Sequence, residues 1–497
     1  MMRLGWLWLC SAALWAQAPC APSELAGEWN GWGRNAANTR HQTEAALTPE
    51  NVGRLALKWA FGLPQARSVF GQPAVVGGRV YVGSDTGEVF ALNASAGCLH
   101  WTFRADAGVR TAVSVAPVGN GRRAAFFGDV RGKVYAVDAH SGVELWKTTV
   151  ETHPAAKLTG APVFFEGRLY VPVSSKEEGL GGGANYACCT FRGSVVALEA
   201  ASGREIWKTY VIQDEPRPTG AKPNGVPTMG PSGAAIWSPP TIDAERRALY
   251  VATGDAYSEP ADKATDAVLA LDLDSGAIRW IAQDTENDVW IAACMGAQKP
   301  AHCGPDHDFG SPPMLVNAGG RDLLVIGQKS GNVWAHDPDT GAVVWRTPLV
   351  ANTTEFGGKI VWGGSADAEQ AYFGLGPGGI GAVRLRDGER QWFTGIPPAP
   401  GMERQVGHDG PLTTVPGLVF SGGWDGVLRA LSAWDGRVLW SFNTARQFPA
   451  VNGVPARGGS MGAPGPVVAG DMLFVVSGYV GVRQGAAGNL LLAFGLE

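Results

Sequence analysis

Two cysteines stand side by side at Cys188 and Cys189, among scattered carboxylates: Glu177 and Glu178 just before them, then Asp255, Asp284, Glu286, Asp288, Asp306 and Asp308. A disulfide between neighbours closes an eight-membered ring, a poor staple for distant segments. Two free thiols, or two bridges to other cysteines, are the alternatives. Carboxylates are the oxygen ligands that a hard cation such as calcium takes. A carboxylate close to a hydroxyl can also act as its general base. Lys329, in Gly327-Gln328-Lys329-Ser330-Gly331-Asn332, adds a cation, and Trp237 a broad aromatic face.

A repeat indicates what positions these residues. Ala91, Gly97 and Trp101 stand at a start, six residues on and ten residues on. The same spacing recurs at Ala136, Gly142, Trp146; Ala197, Gly203, Trp207; Ala270, Gly276, Trp280; Ala335, Gly341, Trp345; Ala382, Gly388, Trp392; and Ala430, Gly436, Trp440. Copies spaced by about 40 to 70 residues mean a propeller or an array. Around the first copy, Arg79-Val80-Tyr81-Val82 alternates, Asp85-Thr86-Gly87 turns, and Glu88-Val89-Phe90-Ala91-Leu92 alternates again. Ser95-Ala96-Gly97 then turns into the strand of Trp101. The period is two, with glycine-containing breaks and no helical stripe. A four-stranded sheet cannot bury both faces alone. Stacking around a ring buries them, with the Trp as the flat piece at the contact.

The ends supply the missing copy. Leu490-Leu491-Leu492-Ala493-Phe494 reads as the third strand of a blade, and Leu55-Ala56-Leu57-Lys58-Trp59 as a Trp-bearing fourth strand with no blade before it. Joined, they close the ring and remove two sheet edges. The expected fold is all-β: one eight-bladed β-propeller over 19–497, with a seven-bladed ring and a stray N-terminal arm as the rival.

The 70 glycines and 19 tryptophans agree with many tight turns and large flat contacts. A net charge of −5, with both signs interspersed, gives no footprint for nucleic acid or an anionic membrane. Arg3, the apolar stretch from Leu4 to Trp15 and Ala16-Gln17-Ala18 read as an export signal over 1–18, cleaved near Ala18. The stretch is too short for the ~30 Å of a bilayer's hydrocarbon core. In an oxidising compartment the remaining cysteines are expected to pair. A local Cys294–Cys303 bridge is expected, while the fates of Cys20 and Cys98 stay open. No Cys-x-x-Cys-His occurs, so no covalent c-type haem is expected.

The tryptophan repeat, and Leu47-Thr48-Pro49-Glu50-Asn51-Val52-Gly53-Arg54-Leu55 ahead of Trp59, resemble the quinoprotein alcohol dehydrogenases over nearly the whole mature chain. Trp29-Asn30-Gly31-Trp32-Gly33, Gly108-Val109-Arg110-Thr111-Ala112, Cys188-Cys189-Thr190-Phe191-Arg192-Gly193 and Gly458-Gly459-Ser460-Met461 look like the branch that oxidises polyvinyl alcohol. The resemblance implies a periplasmic propeller holding pyrroloquinoline quinone (PQQ) and Ca2+ on the ring axis. It further implies oxidation of secondary alcohols, polymeric ones among them, with electrons passing to a cytochrome c. Non-catalytic propellers that serve binding or outer-membrane assembly share the repeat, so the site residues carry the distinction.

On that resemblance, a Cys188–Cys189 disulfide forms a lid on one face of the quinone and Trp237 stacks on the other. Glu178 and Asp255 match the calcium ligands, with Glu177 the adjacent alternative to the first. The second position is usually Asn in the family, so Asp255 adds a charge. Asp288, in Asp284-Thr285-Glu286-Asn287-Asp288-Val289-Trp290, matches the catalytic aspartate, which takes the alcohol proton and also meets the calcium. Asp308 is the runner-up among these crowded acids. Lys329 matches the cation beside the quinone oxygens, where positive charge favours the electron-rich reduced cofactor. Arg110, Thr159 and Ser175 stand where the family binds the PQQ carboxylates, and a guanidinium fork suits a carboxylate. Trp362, in Lys359-Ile360-Val361-Trp362-Gly363-Gly364, lines the same cavity. The Cys294–Cys303 loop lies beside its mouth, where substrate choice is made.

Overall fold

The computed structural model describes residues 20, 25, 27–296, 299–300, 302–350, 359–397, 406–481 and 485–497. The export signal read at 1–18 lies outside them. Blade 1 comprises Ala74–Val76, Arg79–Gly83, Glu88–Asn93 and Leu99–Arg104, each strand antiparallel to the next. Blades 2 to 7 repeat the plan, beginning at Ser114–Pro117, Val163–Phe165, Thr241–Asp243, Met314–Ala318, Gly364–Ala366 and Thr413–Val415. Blade 8 joins Val467–Ala469, Met472–Ser477 and Leu490–Leu496 to Leu55–Gly62. Its closing pair runs from Leu55 opposite Leu496 to Gly62 opposite Leu490. The ring is therefore the eight-bladed one, closed by strands from both ends of the chain.

The three residues of the repeat do three different jobs. Each Ala lies directly across from its own Trp: Ala91 opposite Trp101, Ala136 opposite Trp146, Ala270 opposite Trp280. Each Gly instead receives the Trp of the blade before it. A Cβ on Gly97 would lie 2.7 Å from the Trp59 ring, and one on Gly142 2.7 Å from Trp101. These glycines also hold positive φ, 69° at Gly97 and 75° at Gly142, where a side chain is disfavoured. The arriving indole then donates to the next blade: Trp59 Nε1 to the Ala94 carbonyl at 2.9 Å, Trp101 Nε1 to that of Ala139 at 3.1 Å. Position ten of one copy thus docks on position six of the next.

One further segment organises the ring from within. Trp29 exchanges main-chain hydrogen bonds with Val75 of blade 1, and the Asn30 amide clasps the main chain of Val115 in blade 2. The carbonyls of Ala36, Ala37 and Thr39 accept from Ile242, Leu315 and Ala366 in blades 4, 5 and 6, and the Gln42 amide donates to Thr414 of blade 7. Arg40 sits fully buried within this segment. Its guanidinium donates to the carbonyls of Trp32, Leu412 and Pro466, to Gln72 Oε1 and to Thr413 Oγ1. It also lies 4.5 Å from the centre of the Trp32 ring.

All six described cysteines are paired, as Cys20–Cys98, Cys188–Cys189 and Cys294–Cys303. The pairing of Cys20 and Cys98, open from the sequence, is thereby given. Among the described residues no helix is long and apolar enough to cross a membrane.

Candidate active site

The vicinal disulfide is held by the chain just before and after it. Blade 3 runs out through Arg168–Ser175 into the short helix Glu177–Leu180. Glu177 is fully buried and accepts from the Tyr186 hydroxyl at 2.9 Å and from the amides of Thr190 and Phe191 at 3.0 and 2.8 Å. It therefore fastens the backbone next to the disulfide, which separates its role from that of Glu178. Ser175 Oγ accepts from the Glu177 amide at 2.8 Å and donates to the Ala155 carbonyl at 3.3 Å. Those bonds engage the hydroxyl expected to meet a cofactor carboxylate. Gly181 crosses so close that a Cβ would lie 2.8 Å from Cys188 Sγ. Cys188 and Cys189 pack with Phe191, Ala235, Tyr257 and Ile291, and the Trp237 ring packs against the same cluster.

Trp237 meets Trp362 edge to face, with centroids 5.0 Å apart. Both line an axial cavity with Arg110, Thr159 and Trp32. Arg110 donates to the Tyr479 hydroxyl at 3.1 Å and lies over the rings of Trp362 and Phe70 at 5.0 and 5.2 Å. Thr159 Oγ1 is buried without a hydrogen-bond partner among the described residues.

Beside Trp237 the charges converge. Lys329 Nζ lies 5.4 Å from the Trp237 ring centre, 2.5 Å from Asp308 Oδ1 and 2.6 Å from Asp306 Oδ1. Lys359 pairs with the other oxygen of Asp306. Burial pushes the Asp308 carboxyl up to about 7, against the pull of Lys329. Burial opposes the charge on Lys329 too, but Asp308, Asp306, Asp255 and Glu178 outweigh it and hold the ammonium well above its ordinary value. Glu178 thus faces this cluster electrostatically. Asp255 is buried, and neither of its oxygens receives a hydrogen bond from an N–H or a hydroxyl among the described residues. Burial, then the charge of Asp308, raises it well above the usual carboxylate range. One oxygen each from Asp255, Asp306 and Asp308 lie within 4.8 Å of one another, as do oxygens of Asp255, Asp266 and Asp288.

Asp288, expected at the catalytic position, lies with Asp255 and Asp266 and is also tied to the main chain. Its carboxylate accepts from the main-chain amides of Asp306 at 3.2 Å and His307 at 2.8 Å. Gly304 approaches so closely that a Cβ there would strike it. Asp288 therefore clamps the segment that delivers Asp308, and Lys329 pairs with Asp308 rather than with Asp288. The sequence reading also passed over Asp306 as a partner of two lysines. The signal for Lys359 was present in the run that ends on Trp362 and its glycines.

The donor set fits a hard cation: neither Asp255 oxygen takes a hydrogen bond from an N–H or a hydroxyl among the described residues, Asp308 lies close, and Glu178 acts electrostatically on Asp308. It also fits a planar polyacid. Trp237 and the disulfide supply apolar faces, and among the described residues Thr159 Oγ1 lacks a hydrogen-bond partner and Arg110 has no carboxylate ion pair.

The family described as glucose/ethanol/alcohol dehydrogenase, beta-propeller domain, matches residues 29–293, and the outer membrane protein assembly factor BamB family matches 377–493. Polyvinylalcohol dehydrogenase of a Pseudomonas sp is 41% identical over 95% of this chain and 77% of its own length. That of Sphingopyxis sp. (strain 113P3) is 36% identical over 97% and 79%. Among solved structures, quinohemoprotein alcohol dehydrogenase from Comamonas testosteroni superposes with a TM-score of 0.66 at 19% identity, over 94% of this chain and 80% of that one. BamB from Moraxella catarrhalis gives 0.54 at 15%, over 89% and 100%, which is likeness of fold alone. Identity sustained along nearly the whole chain goes beyond a shared ring: the protein belongs to the PQQ-dependent alcohol dehydrogenase family, with the polyvinylalcohol dehydrogenases among its relatives.

Proposed function

We propose that this protein is an exported, PQQ- and Ca2+-dependent dehydrogenase of secondary alcohols, with hydroxylated polymers of the polyvinyl alcohol type as its substrate class and a periplasmic cytochrome c as its electron acceptor. The observation that carries the reading is the Asp308–Lys329 pair, largely buried beside the Trp237 face.

Bound PQQ supplies a two-electron acceptor for the hydride that leaves the carbinol carbon. Trp237 and the Cys188–Cys189 disulfide would bracket it, and Arg110 and Thr159 would take its carboxylates. Glu178, Asp255 and Asp308 would hold the calcium. Asp308 takes the hydroxyl proton of the substrate. Lys329 balances negative charge as it develops. Asp288 acts at one remove, by fixing the main chain that carries Asp308.

The polymer class rests on the polyvinylalcohol dehydrogenases among the relatives. A haem-bearing acceptor is supported by the kinship with quinohemoprotein alcohol dehydrogenase of Comamonas testosteroni, 27% identical over 53% of this chain. Export is supported by the signal-like residues 1–18 and by three disulfides, which persist in oxidising compartments.

The test is reconstitution. Purified protein given PQQ and Ca2+ is expected to bind the quinone and to reduce a dye when a secondary alcohol or polyvinyl alcohol is added. No binding of PQQ would overturn the cofactor assignment. Binding without oxidation of either alcohol would overturn the substrate class.

A further inference from the structure

A groove of about 650 Å3 opens outside the acid cluster and takes no part in the chemistry described so far. On one side it is lined by Thr219, from an exposed hairpin that pairs Arg217–Ala221 with Pro227–Gly230. On the other it is lined by His302, Cys303 and Gly304, at the end of the Cys294–Cys303 loop. A two-stranded ribbon is marginal by itself. This one is tied down by Lys222, whose Nζ donates to the carbonyls of Gly181 and Gly183 at 3.0 and 2.7 Å.

Both sides of the groove are rooted in the candidate active site. Thr219 Oγ1 donates to Thr228 Oγ1 at 3.2 Å, and Thr228 bridges to Cys188. The next residue, Met229, donates its amide to the Cys188 carbonyl at 2.6 Å and accepts from the Cys189 amide at 3.1 Å. Opposite, Gly304 donates to the Val289 carbonyl at 2.8 Å and lies against the Asp288 carboxylate. Val289 in turn bridges to Ala256, the neighbour of Asp255. The groove therefore runs along the rim from the vicinal disulfide to the acid cluster.

Its lining mixes two kinds of surface. Thr219, Glu259, Asn287 and His302 bring hydroxyl, carboxylate, amide and imidazole groups, which together donate to and accept from hydroxyls. Pro260 and Val289 add apolar surface. Among the described residues neither Lys nor Arg lines the groove, so nothing there selects a polyanion. The volume falls in the ~300–1,000 Å3 range of pockets that take drug-sized ligands, well beyond the needs of one small alcohol. A chain in which methylene and hydroxyl-bearing carbons alternate matches this surface in chemistry and in size. We propose that the groove is a polymer subsite, holding several repeat units of a polyvinyl alcohol-type chain while a neighbouring unit of the same chain is oxidised. Units held there raise the effective concentration of the next carbinol at the site. The proposal rests on the alcohol dehydrogenase reading above and adds the residues that set its preference for a polymer.

The experiment measures binding apart from turnover. Polyvinyl alcohol is titrated calorimetrically into the purified protein, with and without PQQ and Ca2+. The proteins are wild type, Thr219→Trp, which fills the groove from the exposed hairpin, and Thr219→Ser, which leaves it open. Wild type is expected to bind the polymer in both conditions. Thr219→Trp should bind it about ten-fold more weakly or worse, as a built-in clash does, and Thr219→Ser should stay within about three-fold of wild type. In the reconstituted enzyme, kcat/KM for polyvinyl alcohol should fall about ten-fold in Thr219→Trp relative to kcat/KM for 2-hexanol, because only the polymer draws on remote binding energy. Polymer binding unaltered by Thr219→Trp overturns the proposal, as does a wild type that binds no polymer. An equal loss with polymer and 2-hexanol also overturns it, since that would mean a disturbed site. If wild type binds the polymer through the groove but oxidises no alcohol, the dehydrogenase reading falls and the groove stands as a polymer site. Should Thr219→Trp not fold, Ala261→Trp, also in the lining, takes its place against the same outcomes.

Discussion

Asp308 and Lys329 form an ion pair at 2.5 Å in which both side chains are largely buried. The pair has a neighbour of a different kind: Asp288 holds the amides of Asp306 and His307, so one aspartate presents another. The two roles separate under substitution. Asp308→Asn is expected to lower kcat by roughly 10²- to 10⁴-fold, the range for loss of a general base, while PQQ still binds. Asp288→Asn keeps one accepting oxygen and should cost less turnover, but with a loss of about 1–3 kcal/mol of stability from the amide left unsatisfied. Steady-state kinetics alongside thermal melts distinguish the two. A larger kinetic loss in Asp288→Asn would overturn the assignment.

The docking glycines can be tested against glycines that dock nothing. Gly276 has φ 74°, and a Cβ there would collide with the Trp207 ring. Gly167 has φ 78°, with nothing within 4 Å of a Cβ. Both alanine variants incur the left-handed backbone penalty of about 1–2 kcal/mol. Only Gly276→Ala adds overpacking, about 1–3 kcal/mol more. Its melting temperature should therefore fall further than that of Gly167→Ala, and equal shifts would show that the indole contact adds nothing.

Arg40 offers a sharper prediction about the axis. Its guanidinium serves five acceptors and no carboxylate among the described residues, and burial lowers its pKa to about 9. Arg40→Met removes five hydrogen bonds inside the ring, although other donors still reach the Trp32 and Pro466 carbonyls and Gln72 Oε1, and is expected to cost about 3 kcal/mol or more. Limited proteolysis should find the segment 29–42 newly accessible.

Stability should also carry the mark of His408. The side chain is fully buried, and burial, assisted by Arg429, lowers its pKa from 6.5 to about 3. Because the unfolded chain binds this proton more readily, the contribution is complete above the unfolded value near 6.5. It is lost progressively as pH falls from there towards 3, by up to about 4–5 kcal/mol. Denaturant midpoints measured from pH 7 to pH 4 should fall less steeply in His408→Gln than in wild type.

The ring was legible because its demands are local and repeated. Glycine, alanine and tryptophan at fixed offsets follow from strand register and turn geometry, which recur in blade after blade. What escaped was the direction of the contact: Gly97 receives Trp59 from the blade before, not its own Trp101. At the site, residue types were legible and their facing was not. Asp288 and Asp308 are both buried acids joined through one loop, and spacing cannot say which one turns towards Lys329. Glu177 and Glu178 pose the same problem, solved by the amides of Thr190 and Phe191. Arg40 was missed because it is a lone cation in sequence; its partners at Leu412 and Pro466 come from segments far along the chain.

The closing strand imposes an order on biogenesis. Lys58 Nζ donates to the Leu496 carbonyl, a contact between residues 438 positions apart. A chain that emerges N-terminus first exposes Leu55–Gly62 while nearly everything else is still to come. Until Leu490–Leu496 arrives, that segment has no partner for its main-chain groups, and unpaired strand edges invite pairing with other chains. Ring closure thus waits for Leu490–Leu496, and the interval before it is when the molecule most needs protection.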